Sequence, residues 1–449
     1  MNFFISFSNF IIEAADYLWN GPILVTLLLG GGIYFSLRSK LTPILFFRHS
    51  LKLLSKRSTS QKGISSFESV SSQIAGIVGM GNISGVAVAI SLGGPGAIFW
   101  MWVTAFLGMI TKFYTCSLSV LYRRTSNNKN FGGPMYVIVN GLGERWKFLA
   151  TVFCFFGLLG VSPIFQSNQI VEVINSVIIK DNFLFGNKFY SDLFVGISIS
   201  ILVSFVILGG IKRIGLIAGK IVPFMVVLYL SLGLLIIIKN LWDVPSIFKL
   251  ILQDAFTGEA VVGGLIGEVI RQGIRRAAFS NEAGLGTEVL AHGAAKTREP
   301  VREGLVAMLG PFIDTIVVCT ITALIILISG VYTEELNGVS MTAAAFQKEL
   351  GIAGEIFLTI AVLTFAFSTM FGYSYYGQKC TSHLFGTKWR NVYNWFYVIM
   401  IVFASMSSID IAVNFVDSAY ALMVIPTMIS TFMLAPKVME EANKYFRNL

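Results

Sequence analysis

Charge is scarce in this sequence: Asp, Glu, Lys and Arg together make up 13% of its 449 residues, about half of the ~25% usual in soluble globular proteins. With 55% hydrophobic residues and a mean hydropathy of +0.74, there is too little polar surface to cover an aqueous globule. A soluble protein is excluded, and the apolar excess must face lipid. Cysteine is equally scarce. The four that exist, Cys116, Cys154, Cys319 and Cys380, are far apart, which excludes a disulfide framework or a CxxC metal pair. Histidine occurs three times, at 49, 292 and 383, never with a ligand-spaced companion. No HExxH, GxSxG or GxxxxGK[ST] string occurs. A membrane-embedded enzyme would therefore have no visible nucleophile, base or metal set. Lys and Arg are absent from the first 37 residues, so the N-terminus lacks the basic region of a cleavable signal peptide and reads as a retained span.

What is present is a series of uncharged runs. A membrane helix needs ~20 mostly apolar residues, and such runs recur throughout. Tyr17–Leu37 is span 1. Residues 69–111 are free of charge, long enough for spans 2 and 3, with Gly93-Gly94-Pro95-Gly96 as the turn between them. Phe148–Val171, Leu193–Gly210 and Ile221–Ile238 are spans 4, 5 and 6. The Gly-rich region from Glu259 to about Leu290 reads as an interrupted span 7. Gly304–Val331, Ile356–Gln378, Asn391–Ile409 and Ser418–Pro436 complete eleven. Alternate loops and the C-terminal tail hold 27 of the 33 basic residues, which predicts the N-terminus outside and the C-terminus in the cytoplasm of a cell membrane. The same bias explains the net charge of +9 as topology. Nucleic acid is not an expected partner, and contact with anionic lipid is.

Two spans differ from the Leu/Ile/Phe pattern. Span 2 carries Gly76, Gly79, Gly81 and Gly85 within ten residues, and each costs a helix interior roughly 1 kcal/mol relative to Ala. Span 7, five spans later, carries Gly258, Gly263, Gly264, Gly267 and Gly273. Gly-interrupted segments at matching places in two five-helix halves point to an inverted-repeat transporter, with span 1 outside the repeat. Close packing of small residues is the competing explanation. Asn82 favours an unwound turn, because an amide at bilayer depth needs partners. Such a turn offers N–H groups and a helix-dipole end to an anion, and carbonyls to a cation.

Three strings, Gly81-Asn82-Ile83-Ser84-Gly85-Val86-Ala87, the run from Gly93 to Ala105, and Phe279-Ser280-Asn281-Glu282-Ala283-Gly284-Leu285-Gly286, resemble the alanine or glycine:cation symporter family. Pro311-Phe312-Ile313-Asp314-Thr315 and Phe365-Ala366-Phe367-Ser368-Thr369 extend the resemblance, which covers about residues 63–436. It implies an all-α polytopic protein of the LeuT/APC-like 5+5 inverted-repeat fold preceded by one extra helix. The single transmembrane domain, 1–449, then divides into the extra helix at 17–37, a first repeat at 64–239 (spans 2–6), a second at 247–436 (spans 7–11) and a cytoplasmic tail at 437–449. The implied activity is symport of a small neutral amino acid, such as alanine, D-alanine or glycine, with sodium or sometimes protons. Oligomeric state is not legible.

Carried over residue by residue, the resemblance places the substrate at Gly79, Met80, Gly81 and Asn82, at Gln166, at Gly263-Gly264-Leu265, and at Thr369 and Tyr373. It places sodium at Ala75, Val78, Phe365, Ser368 and Thr369. A hard cation wants oxygen ligands, and Phe365 and Thr369 share a helix face. The alternative is that the two hydroxyls only bond back to their own helix, and for Gln166 that it makes an interhelical bond. The chain departs from the family at Met80 and Tyr373, where Thr and Trp are usual. It also departs at Thr115 for Glu, at Thr287-Glu288-Val289 for Ser-Ala-Pro, and at Thr427 for Asn.

Among the intramembrane charges, Asp314 is expected deepest, in a polar network or titrating. Arg271, Arg275 and Arg276 are expected in the cytoplasmic half of span 7, with 279–286 as an inner-gate loop. Asp410 and Asp417 are expected to straddle a watery outer turn. A proton-coupled transporter of another small amino acid and an ion channel are the remaining readings.

Overall fold

The computed structural model describes residues 2–55, 78–126, 129–179, 184–256, 266–295 and 297–447. These residues are almost wholly helical, as a chain in lipid must be if its backbone is to satisfy its own hydrogen bonds. The described exception is a short antiparallel pair, Arg124–Ser126 with Lys129–Phe131. Seven helices are long and apolar enough to cross a membrane: Ala97–Leu121, Glu144–Ile179, Lys188–Ile207, Arg213–Lys239, Pro300–Ser329, Ile352–Leu384 and Ile409–Arg447. A bent pair near the N-terminus brings the number to eight if counted as one span. These correspond to spans 3, 4, 5, 6, 8, 9, 11 and 1. Spans 2, 7 and 10 hold shorter helices, Ser84–Gly93, Ile266–Asn281 and Arg390–Ser405.

Several boundaries differ from expectation. Span 1 is not one rod over 17–37. A helix Asn2–Asn20 precedes it, and the chain bends by 53° before continuing to Ser39. The turn before the last helix lies at 406–408, so Asp410 and Asp417 both sit on Ile409–Arg447. That helix runs on past Pro436, and the 437–447 part of the tail is helical. Two helices were not foreseen, Val244–Phe256 and Gly338–Leu350, each between apolar spans.

Segments five apart in the order of spans pack on one another. Ser84–Gly93 lies along Ile266–Asn281, and Ala97–Leu121 along Pro300–Ala307. Lys147–Gly160 and Ile164–Val173 pack on Ile352–Leu384, and Lys188–Ile207 on Arg390–Ser405. Large apolar side chains such as Phe205 and Val227 remain exposed on the outer helices, where lipid rather than water would cover them.

Candidate functional site

The backbone of span 2 is not α-helical at Gly79–Ile83. Gly79 is extended, Met80–Asn82 form one 3-10 turn, and the α-helix begins at Ser84. The side chain of Asn82 holds this turn. Its Oδ1 accepts the Gly79 N–H at 2.8 Å, and its Nδ2 donates to Asp314 Oδ1 at 2.6 Å and to the Asp314 carbonyl at 3.0 Å. Its own carbonyl accepts Thr322 Oγ1 at 2.7 Å. The amide expected to greet a substrate is thus engaged by protein partners. What the turn leaves for an anion is the first-turn N–H groups of the helix that follows, which have no partner earlier in an α-helix.

Span 7 is interrupted as well, after Asn281; the Gly263-Gly264 pair lies outside the described residues. Ile266–Asn281 is an unbroken helix, and the chain then turns through Glu282–Gly286 before the helix Thr287–His292. Glu282, Gly284 and Gly286 all take left-handed backbone conformations, with φ of 58°, 82° and 94°. For glutamate this conformation is costly and holds only where the surroundings enforce it. Thr287 Oγ1 donates to Glu282 Oε2 at 2.6 Å, and Tyr373 OH donates to Glu282 Oε1 at 2.7 Å. The 279–286 string therefore holds the last turn of one helix and an interruption of span 7 among the described residues.

The span 2 turn meets the end of the helix that leads into the Glu282–Gly286 turn. A Cβ on Gly81 would come within 2.9 Å of the Ser280 Cα and 3.2 Å of Phe279, so only a glycine permits this approach. Phe279 in turn packs edge-on against Phe165, ring centroids 4.8 Å apart, next to Gln166. Gln166 is buried on the helix Ile164–Val173, which starts after Pro163, and its Oε1 has no hydrogen-bond partner among the described residues. An unsatisfied buried acceptor is uncommon and calls for a ligand or a water.

Thr369 touches the first interruption, because a Cβ on Gly79 would collide with its Oγ1. Ser368 Oγ and Thr369 Oγ1 each donate to the Phe365 carbonyl at 2.9 Å, the bonding back to their own helix given above as the alternative to holding an ion. Val78 is buried beside Gly79. Ala75, Gly263, Gly264 and Leu265 lie outside the described residues. Tyr373, one helical turn beyond Thr369, bonds Glu282 and Tyr420 OH, the latter at 2.7 Å.

A buried ion cluster involves the same span 7 helix. Asp417 is buried and accepts from Arg275 Nε at 2.6 Å and from Arg276 Nη2. Arg271 reaches Asn20, and Gln272 packs against Gly93 of the span 2–3 turn. This end of the helix Ile266–Asn281 thus lies beside the span 2–3 turn. Asp417 is not at a watery turn, since two guanidiniums hold it inside the protein. Two of the departures also face each other: Thr115 Oγ1 donates to Glu288 Oε1 at 3.1 Å.

Comparison with known proteins follows this geometry. The model of the sodium:alanine symporter family matches residues 5–449. The sodium/alanine symporter AgcS of Methanococcus maripaludis is 39% identical, covering 98% of this chain and 97% of that protein. The probable sodium/glutamine symporter GlnT of Bacillus subtilis is 35% identical over 97% of this chain and 90% of its own length. A putative sodium/proton-dependent alanine carrier, YrbD of the same organism, is 36% identical over 84% of this chain and 79% of its own. With two interrupted helices packed together in a helical membrane bundle, and a match along nearly its whole length, the chain belongs to the sodium:alanine symporter family and is an amino-acid:cation symporter, not an enzyme.

Proposed function

We propose that the protein imports a small neutral amino acid, alanine, D-alanine or glycine, together with sodium across the cell membrane, by alternating access around the two interrupted helices. The observation that carries this reading is the contact of Gly81 with Ser280, which sets the span 2 turn against the end of the helix that leads into the Glu282–Gly286 turn of span 7. The substrate carboxylate sits at the Gly79–Ser84 turn, and its ammonium faces the unpaired Gln166 Oε1. Sodium is held by the Val78 and Phe365 carbonyls with the Ser368 and Thr369 hydroxyls, which turn from the Phe365 carbonyl to the ion. Met80, fully buried at the turn, leaves room for a short side chain only. The packing of segments five apart supports a repeat of spans 2–6 (64–239) and 7–11 (247–436), eleven spans in all, with 17–37 as an extra helix, the N-terminus outside and the C-terminus in the cytoplasm.

Met80, Asn82, Gln166, Thr369 and Tyr373 are all buried, the arrangement of an occluded step. Entry then requires separating Arg275 and Arg276 from Asp417, and release requires parting Tyr373 from Glu282. The test is uptake into proteoliposomes. Labelled alanine or glycine should accumulate when sodium is high outside, and no accumulation by folded protein under any sodium or proton gradient contradicts the reading. Two variants refine it. Gln166→Leu should weaken alanine binding about tenfold, one charge-assisted hydrogen bond being worth ~1.5–3 kcal/mol, while sodium binding measured without alanine stays unchanged. Ser368→Ala should raise the sodium concentration for half-maximal uptake; an identical sodium curve would remove Ser368 from the ion's ligands.

A further inference from the structure

The helix Asn2–Asn20 precedes the segments that pack five apart, yet its last turn meets the ion cluster of Asp417. Ile11, Ala15 and Trp19 are buried at successive four-residue steps, an apolar stripe on a helix that lies along Ile409–Arg447. Trp19 Nε1 donates to the Asp417 carbonyl at 3.0 Å, and the Arg275 guanidinium carbon is 6.0 Å from the centre of the Trp19 ring. Asn20 Oδ1 accepts from Arg271 Nη1 at 2.8 Å. Asp16 Oδ1 stands 3.7 Å from Arg275 Nη1. The Asp16 side chain is 51% exposed, where that of Asp417 is 1% exposed.

Arg275 therefore has two carboxylates within reach. Its Nε is bound to Asp417 at 2.6 Å and its Nη2 to Asn414 Oδ1 at 2.5 Å, whereas Nη1 faces Asp16 beyond hydrogen-bond distance. Arg276 has no such choice, because its one ion pair among the described residues is with Asp417. Drawing Arg275 off Asp417 with no other carboxylate at hand would leave a largely buried guanidinium without a counter-charge, which is strongly disfavoured. Asp16 eases that step: it is already in water, and it can take the guanidinium without first being buried. We propose that Asp16 is a positioning residue of the entry gate. When the gate opens, Arg275 passes from Asp417 and Asn414 to Asp16, and the first helix holds it aside while the amino acid enters.

This inference rests on the reading that entry parts Arg275 and Arg276 from Asp417, and its test separates the two. The measurement is the initial rate of alanine uptake into proteoliposomes at saturating sodium. Only the open form takes alanine, so a smaller open fraction raises KM in proportion. Asp16→Asn should raise KM about threefold, the effect of a half-exposed ion pair, with kcat unchanged. The difference should vanish in roughly 1 M choline chloride, where charges are screened within about 3 Å. It should also vanish when Arg275→Gln is already present; if Arg275→Gln does not fold, the salt series decides. An unchanged KM, a rise that persists in high salt, or a lower kcat at constant KM, the mark of a helix that only stabilises the bundle, overturns the proposal. Asn414→Ala frees Arg275 Nη2 without touching either carboxylate, and it should lower KM. A lower KM in Asn414→Ala beside an unchanged one in Asp16→Asn defeats the exchange alone, whereas KM unchanged in both defeats the gate reading as well.

Discussion

Alanine in place of Gly79 is expected to leave the protein folded and to raise the sodium concentration needed for uptake by ten- to a hundredfold. The extended backbone of Gly79 is open to any residue, so conformation is not the obstacle. Space is, because the new methyl would occupy the position of Thr369 Oγ1. The hydroxyl must rotate away, breaking its bond to the Phe365 carbonyl and withdrawing an oxygen from the ion. Loss of one interaction with a charged group is worth ~1.5–3 kcal/mol, and each ~1.4 kcal/mol is a factor of ten. Sodium-dependence curves of uptake measure this directly. A curve superimposable on the wild type would separate Thr369 from the ion, and the double change Gly79→Ala with Thr369→Ser should recover part of the loss.

The second large effect concerns stability. Asp417→Ala removes the acceptor shared by Arg275 and Arg276 and leaves Arg276 buried without a counter-charge, while Arg275 keeps only Asp16, 3.7 Å away. Arg276 is fully enclosed, its guanidinium 5.3 Å from the centre of the Phe279 ring, so water cannot replace the lost partner. Breaking a buried pair from one side typically costs ~3–5 kcal/mol, which lowers the melting temperature by on the order of 10 °C. Thermal unfolding in detergent checks it, with Asp417→Glu as the variant that keeps the charge. A melting temperature unmoved in Asp417→Ala would show that the arginines are balanced elsewhere.

The apolar runs located the helices well, because a backbone in lipid has few choices and hydropathy reports them. The interruption of span 2 was also legible: Gly79 and Gly81 flank one residue where an apolar helix should have continued. The same spacing, Gly284 and Gly286 about Leu285, marks the interruption of span 7. What sequence could not supply were partners far away in the chain. The counter-charge of Arg275 and Arg276, Asp417, is some 140 residues distant, and no local pattern pairs them. Asn82 looked free to meet a substrate because Asp314, 232 positions away, is joined to it only by folding. Tyr373 resembled a pocket wall, and its bond to Glu282 depends on a left-handed glutamate that no local pattern announces.

The central claim is that one place, where the span 2 turn touches the end of the helix that leads into the Glu282–Gly286 turn, receives the amino acid. A cryo-EM map of the protein with saturating alanine and sodium tests it most directly. The account predicts density for the amino acid with its carboxylate at the Gly79–Ser84 turn and its ammonium toward Gln166 Oε1. Alanine density anywhere else, with Gly81 still closed on Ser280 and nothing at the turn, would contradict it.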